Sequence, residues 1–174
     1  ACAGGGGRID AGIIRRTHRF WTSDCIDAVS RLHIQPGFLQ YMPPEVMGSH
    51  VGTAPAHSTG RSQTLDFRAA IACQGHFGVE FNLLEMEKAE RDRLALWIGF
   101  YKANRALLHG EIWSGEGTDS LSWHAAGNAG ERLLFVYREK PMQLRHMAPI
   151  RLPFVDESAR YAIIVDGPDG GSHA

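Results

Sequence analysis

Asp24 closes the run Phe20-Trp21-Thr22-Ser23-Asp24, where a short apolar strand gives way to a helix-like stretch. A carboxyl group at such a joint, walled by the Trp21 indole, can hold a proton and donate it to a leaving oxygen. In α/β barrels catalytic side chains stand where strands end and loops begin, which is where Asp24 falls. The competing role is structural: an Asp ahead of a helix, with Asp27 three residues on, reads as an N-cap worth about 1 kcal/mol. Cap and acid would compete for the same oxygens, so an acid at Asp24 leaves the cap to Asp27 or Ser23.

Other chemistries find less support. The glycines from Gly4 to Gly7 lack the G-x-G-x-x-G spacing and the G-K-[ST] ending of phosphate loops, and no helix start follows directly. They leave a flexible turn, or a wall of backbone N–H groups beside a neutral, hydroxyl-rich ligand. His50, His57 and His76 flank loops, but no H-x-x-x-H or carboxylate-linked cluster accompanies them, so no metal or other cofactor is expected. G-x-S-x-G is absent, which argues against a serine hydrolase. Cys2, Cys25 and Cys73 are an odd set without metal-motif spacing, pointing to a reducing, cytoplasmic setting.

The elements that must position Asp24 follow from the patterning. Residues 2–10 form a loop, and Arg19-Phe20-Trp21 a strand. Residues 25–35 place Ile26, Val29 and Leu32 at helical spacing, with Pro36-Gly37 as the expected stop. A connector through Pro43-Pro44 leads to a short strand at 46–52 that breaks at Gly48, and then to a loop at 53–61. Residues 67–75 read as a buried helix and 77–82 as a strand. Asn82 with Glu85 predicts the cap of a long helix whose apolar stripe is Leu94, Trp97 or Ile98, Tyr101 and Leu108, closed by Gly110. On that helix Trp97, Phe100 and Tyr101 read as packing. Strand and helix alternate over 20–109, which implies an α/β unit with parallel strands and crossover helices.

The pattern changes near Gly110, taken as a domain boundary between 1–110 and 111–174. Residues 121–126 and 132–138 are strand-like and joined by a Gly-Asn-Ala-Gly hairpin signal. Residues 149–154 and 160–165 look like further strands of a small antiparallel module.

Composition narrows the partners. With 18 basic and 19 acidic side chains in 174 residues, net charge is −1, so no global field recruits nucleic acid or an anionic membrane surface. No apolar run approaches the ~18 residues that cross a bilayer. The Gly-rich start without an initiator Met has no signal-peptide pattern and suggests a stretch from within a longer chain. Association into a homo-oligomer is left open.

The sequence closely resembles glycoside hydrolase family 36, the melibiase-type α-galactosidases. The likeness lies in C-x-x-G-G-G-R-I-D (Cys2 to Asp10), FWTSDCIDAVSRL, MPPEVMGSHVG, HSTGR and CQGHFGVEF…IGFYK, in order, with a weaker RLPFVDESARYAI segment beyond. The resemblance implies the C-terminal portion of a (β/α)8 (TIM) barrel over 1–110, followed by part of a small antiparallel β-sandwich domain, incomplete here. It implies a retaining glycosidase acting on terminal α-D-galactosyl residues of oligosaccharides, with Asp24 as general acid/base. Cys2, Gly4 and Gly5 match positions that contact galactose, and Trp21 could shape the pocket. Position 4, commonly Ser in the family, is Gly here, so one hydroxyl is missing.

The family's nucleophilic aspartate sits in a K-W-D type motif on an earlier strand, and no such motif occurs in these residues. A retaining mechanism needs two carboxyl groups about 5 Å apart, so these residues alone are expected to be inactive. The alternatives are an α-N-acetylgalactosaminidase, a galactosyl-transferring relative, or a non-catalytic carbohydrate-binding fragment.

Overall fold

The computed structural model describes residues 7–118, 120–140 and 149–165. Its elements run α1 (Ala11–Ile14), β1 (Phe20–Trp21), α2 (Ala28–Leu39), β2 (Met47–Val51), α3 (Leu65–Ala72), β3 (His76–Val79) and α4 (Lys88–Leu108). Three more strands follow: β4 (Glu111–Glu116), β5 (Leu121–Gly127) and β6 (Arg132–Arg138). The first three strands form a parallel sheet in the order β1-β2-β3, and the last three an antiparallel sheet in the order β4-β5-β6. The α/β alternation expected over 20–109 is therefore present.

The parallel sheet has two different faces because side chains alternate along each strand. Register pairs Phe20 with Met47, Ser49 with Phe77 and Val51 with Val79. These residues meet the helices: Phe20 and Met47 pack with Phe38 of α2, and Val51 with Leu65, Ala69 and Ala72 of α3 and Leu94 of α4. The intervening positions, Trp21, Gly48, His50 and Gly78, lie on the opposite face.

A buried polar chain ties the two sheets together. Gln35 of α2 accepts from the Ser49 hydroxyl and donates to Gln74 Oε1 at 2.9 Å. Gln74 donates to the Tyr137 hydroxyl at 3.2 Å, and that hydroxyl donates to the Ala70 carbonyl at 3.1 Å. Tyr137 of β6 also packs with Ala28, Leu32 and Ile71. Phe135 of β6 meets Phe100 of α4 edge-on at 6.5 Å. The segments on either side of Gly110 thus share core.

Several boundaries differ from expectation, each for a local reason. Helix α2 does not stop at Pro36-Gly37 but runs to Leu39. Proline forfeits its amide bond there, but continuing the helix brings Phe38 to 5.9 Å from Phe20, in the core. Gly48 does not break β2; a Cβ there would lie 3.1 Å from the Phe20 carbonyl and 3.4 Å from the Trp21 ring, so the glycine lets the strands approach. Asn82 caps a 3₁₀ turn, Leu83–Glu85, rather than the long helix, and α4 begins at Lys88 without a side-chain cap. The stripe Leu94, Trp97, Tyr101 and Leu108 is buried as expected.

Two elements escaped the patterning altogether. Asp10 caps the short α1 by accepting from the Gly12 and Ile13 amides, both at 2.9 Å. Strand β4 extends the antiparallel sheet. The hairpin at 127–130 is present, with Asn128 Oδ1 accepting from the Gly130 and Glu131 amides. Residues 149–154 and 160–165, in contrast, form no strand among the described residues beyond an isolated bridge at Val165. Pro149 and Pro153 lack a ladder donor, and the Phe154 ring packs instead on Trp113 at 4.9 Å.

Candidate active site

All three parallel strands end on the same edge of their sheet, at Trp21, Val51 and Val79. Beyond them lie Thr22-Ser23-Asp24, Gly52-Thr53 and Glu80. The six residues from Thr22 to Asp27 join β1 to α2, and their conformation is fixed from four sides. Ser23 Oγ accepts from the Cys25 amide at 3.1 Å. Arg31, one turn into α2, donates to Thr22 Oγ1 at 2.6 Å and to the Ser23 carbonyl at 2.7 Å. Its guanidinium lies 4.2 Å over the Trp21 ring. At the far end Arg61 Nη1 pairs with Asp27 Oδ2 at 3.0 Å, tying the joint to the loop at 53–61.

The cap of α2 is Asp27. Its Oδ2 accepts from the Ser30 amide at 3.1 Å and from the Ser30 hydroxyl at 2.7 Å, and the residue is 1% exposed. Asp24 is exposed, three residues before the cap, at the C-terminal edge of the parallel sheet. The two carboxylates that the sequence left in competition are therefore divided between two places, one buried in the helix start and one facing outward.

Trp21 is half-buried and shares its ring with protein groups: Arg31 on one account, and His50, stacked at 4.3 Å, on the other. It braces the loop. His50 Nδ1 lies 3.5 Å from Glu80 Oε2 at the end of β3. Burial pushes the His50 imidazole below its ordinary range; Glu80 opposes that, while Arg31 and Arg19 add to it. Burial likewise draws Arg31 down, against the pull of Cys25, Glu80 and Asp24, yet a guanidinium stays charged in any protein setting. Burial raises the Cys25 thiol, but hydrogen bonds from Ser58, the Asp27 backbone and Ser30 outweigh it and leave the thiol below its ordinary range.

Of the residues expected at the site, Asp24 and Trp21 are brought to one edge, and Cys2, Gly4 and Gly5 lie outside the described residues. Arg31, His50, Glu80 and Arg61 were not anticipated. Arg31 carried no local signal, since its partners Thr22 and Ser23 lie in the loop before α2. Among the described residues no group of three or more His, Cys, Asp or Glu could hold a metal ion, and no helix is long and apolar enough to cross a membrane.

A family model described as Melibiase matches residues 1–110. The chain is 42% identical over 121 residues to an α-galactosidase of Escherichia coli, covering 69% of the chain and 17% of that protein. It is 34% identical over 177 residues to a probable α-galactosidase G of Emericella nidulans, covering 98% and 24%. The structure of the glycoside hydrolase family 36 α-galactosidase AgaA of Geobacillus stearothermophilus, a variant in complex with raffinose, superposes with a TM-score of 0.82 at 31% identity, covering 89% of the chain and 22% of that enzyme. The chain thus spans less than a quarter of the length of these relatives. On a family match over 1–110 and like structures over most of its length, the chain belongs to the melibiase family, glycoside hydrolase family 36.

Proposed function

We propose that these residues form part of the active site of a retaining α-galactosidase, with Asp24 as its general acid/base. The observation that carries this is the division of labour at the β1–α2 joint: Asp27 takes the helix cap, while Asp24 is exposed at the strand-end edge. In a barrel that edge faces substrate.

On this reading β1, β2 and β3 are consecutive strands of a (β/α)8 barrel, and their face carrying Trp21 and His50 looks into its lumen. Residues 111–174 belong to the C-terminal β domain, with the boundary near Gly110. Cys2, Gly4 and Gly5 contact the galactosyl ring, the substrate being a terminal α-D-galactosyl residue of an oligosaccharide such as the raffinose bound by AgaA. The free thiols of Cys25 and Cys73 suit a reducing, cytoplasmic setting.

The reaction runs in two displacements. A nucleophilic aspartate from outside these residues attacks the anomeric carbon as Asp24 protonates the departing glycosidic oxygen. Asp24, now a carboxylate, then takes a proton from water as that water's oxygen displaces the enzyme carboxylate, releasing galactose and restoring both side chains. The 174 residues alone hold only one of the two carboxylates and are inactive.

The test is Asp24→Asn in the longer chain that carries this stretch. Turnover of raffinose should fall roughly 10³-fold, and that of 4-nitrophenyl α-galactoside, whose leaving group needs little protonation, by far less. Equal losses on both substrates would overturn the assignment. Galactoside turnover by the purified 174-residue chain, abolished by Asp24→Asn, would overturn the reading that the nucleophile lies outside these residues.

A further inference from the structure

The residue that most directly fixes the loop carrying Asp24 is Arg31, which lies on α2 beyond the run from Phe20 to Asp24. Arg31 is 2% exposed. Burying a guanidinium costs several kcal/mol after relaxation, and an apolar side chain of similar volume often serves stability better. What the buried cation does is specific. Its two terminal nitrogens go to Thr22 Oγ1 (2.6 Å) and to the Ser23 carbonyl (2.7 Å), and its plane covers Trp21 at 4.2 Å. These are the three residues that immediately precede Asp24.

We propose that Arg31 is a positioning residue for the galactosidase reaction, gripping Trp21, Thr22 and Ser23 so that the Asp24 carboxyl stands at the leaving-group oxygen. The proposal rests on the reading of Asp24 as acid/base. It departs from a purely structural role because the contacts all converge on one loop. The helix needs no such help at its start, since Asp27 already caps it. Nor would lysine replace arginine: a point charge offers neither the planar fork nor the same stacking on an indole.

Proton transfer demands placement more than substrate binding does, and a displacement of about 1 Å costs on the order of 10²-fold in rate. The variants are Arg31→Lys, Arg31→Gln and the milder Thr22→Val, which removes one acceptor and keeps the volume. Each is made in the longer chain, with Asp24→Asn in parallel, and assayed for kcat and KM on raffinose and on 4-nitrophenyl α-galactoside.

Both Arg31 variants should lose roughly 10²-fold in kcat on raffinose but under about tenfold on the nitrophenyl substrate, with KM nearly unchanged. Thr22→Val should show a smaller loss with the same preference, which keeps the test open if the Arg31 variants fail to fold. Equal losses on the two substrates, full raffinose activity in Arg31→Lys, or an unaltered Thr22→Val enzyme would overturn the proposal. If Asp24→Asn itself lacks the leaving-group preference, the acid/base reading fails and the role of Arg31 falls with it. If Asp24→Asn shows the preference and the loop variants do not, only the Arg31 proposal is lost.

Discussion

Arg61 reaches from the loop at 53–61 to the buried carboxylate of Asp27, Nη1 to Oδ2 at 3.0 Å, joining a half-exposed cation to an anion that is 1% exposed. The pair locks the segment after β2 onto the start of α2, on the side of the joint away from β1. Among the described residues Asp27 Oδ1 has no hydrogen-bond partner, so the balance of charge at the helix start depends on Oδ2 alone.

Removing Arg61 should therefore hurt more than losing an exposed ion pair, which is worth about 0–1 kcal/mol. Arg61→Gln leaves a buried carboxylate served only by Ser30, and a loss of roughly 2 kcal/mol is expected. Asp27→Asn relieves the charge while keeping a cap oxygen. The double variant should recover part of the Arg61→Gln loss. Urea denaturation of the two single variants and the double measures this, and additive losses would show that the two residues do not act as a pair.

Tyr137→Phe tests the polar chain that joins the two sheets. The hydroxyl accepts from Gln74 and donates to the Ala70 carbonyl, and the side chain is buried. Deleting it leaves one buried donor and one buried acceptor unmet, at a cost of about 1–3 kcal/mol. The loss should appear in the denaturation midpoint with an unchanged m-value, because the surface exposed on unfolding stays the same.

The strand-to-helix joint was legible because an apolar pair, a hydroxyl run and two aspartates at cap spacing occur together, and the capping of α2 by Asp27 is a role the sequence admitted. What was not legible depended on contacts that no local pattern encodes. Arg31 points back along its helix to the loop, and no local pattern separates that from a solvated face. The Asn82 and Glu85 pair is a cap signal that serves a single 3₁₀ turn as well as a long helix. Strand β4 contains Gly115, which breaks the pattern but suits the fold: a Cβ there would lie 2.7 Å from the Trp123 ring. The strands expected at 149–154 and 160–165 failed because apolar alternation does not supply a ladder partner.

Two glycines predict opposite outcomes. Gly78 pairs with His50 across β2 and β3, and a Cβ there would sit 2.7 Å from His50 Nε2 and closer still to Cδ2. The imidazole is already stacked on Trp21, so Gly78→Ala must disturb that stack, at about 1–3 kcal/mol. Gly99, inside α4, would place a Cβ with nothing within 4 Å. Gly99→Ala should stabilise by about 0.5–1 kcal/mol, since alanine loses less backbone entropy in a helix. Thermal melts of both variants should shift in opposite directions, and a stabilised Gly78→Ala would mean that His50 moves aside freely.

Acid sensitivity should trace in part to His124 of β5. It is 1% exposed, neither ring nitrogen has a hydrogen-bond partner among the described residues, and burial pushes its pKa down to about 4. The unfolded chain binds that proton near the ordinary value of about 6.5, while the folded chain resists it until about pH 4. Between those values the unfolded state holds more protons, so stability is complete above the upper value and falls as pH drops through the window. The slope from this one group is about 1.4 kcal/mol per pH unit, or roughly 2 kcal/mol between pH 7 and pH 5. His50, His76 and His109 are lowered as well, chiefly by burial, and steepen the same trend. Denaturation midpoints at pH 7, 6 and 5 should therefore decline, and His124→Leu should flatten the decline without abolishing it. An identical slope in the variant would show that His124 accepts its proton in the folded chain as easily as in the unfolded one.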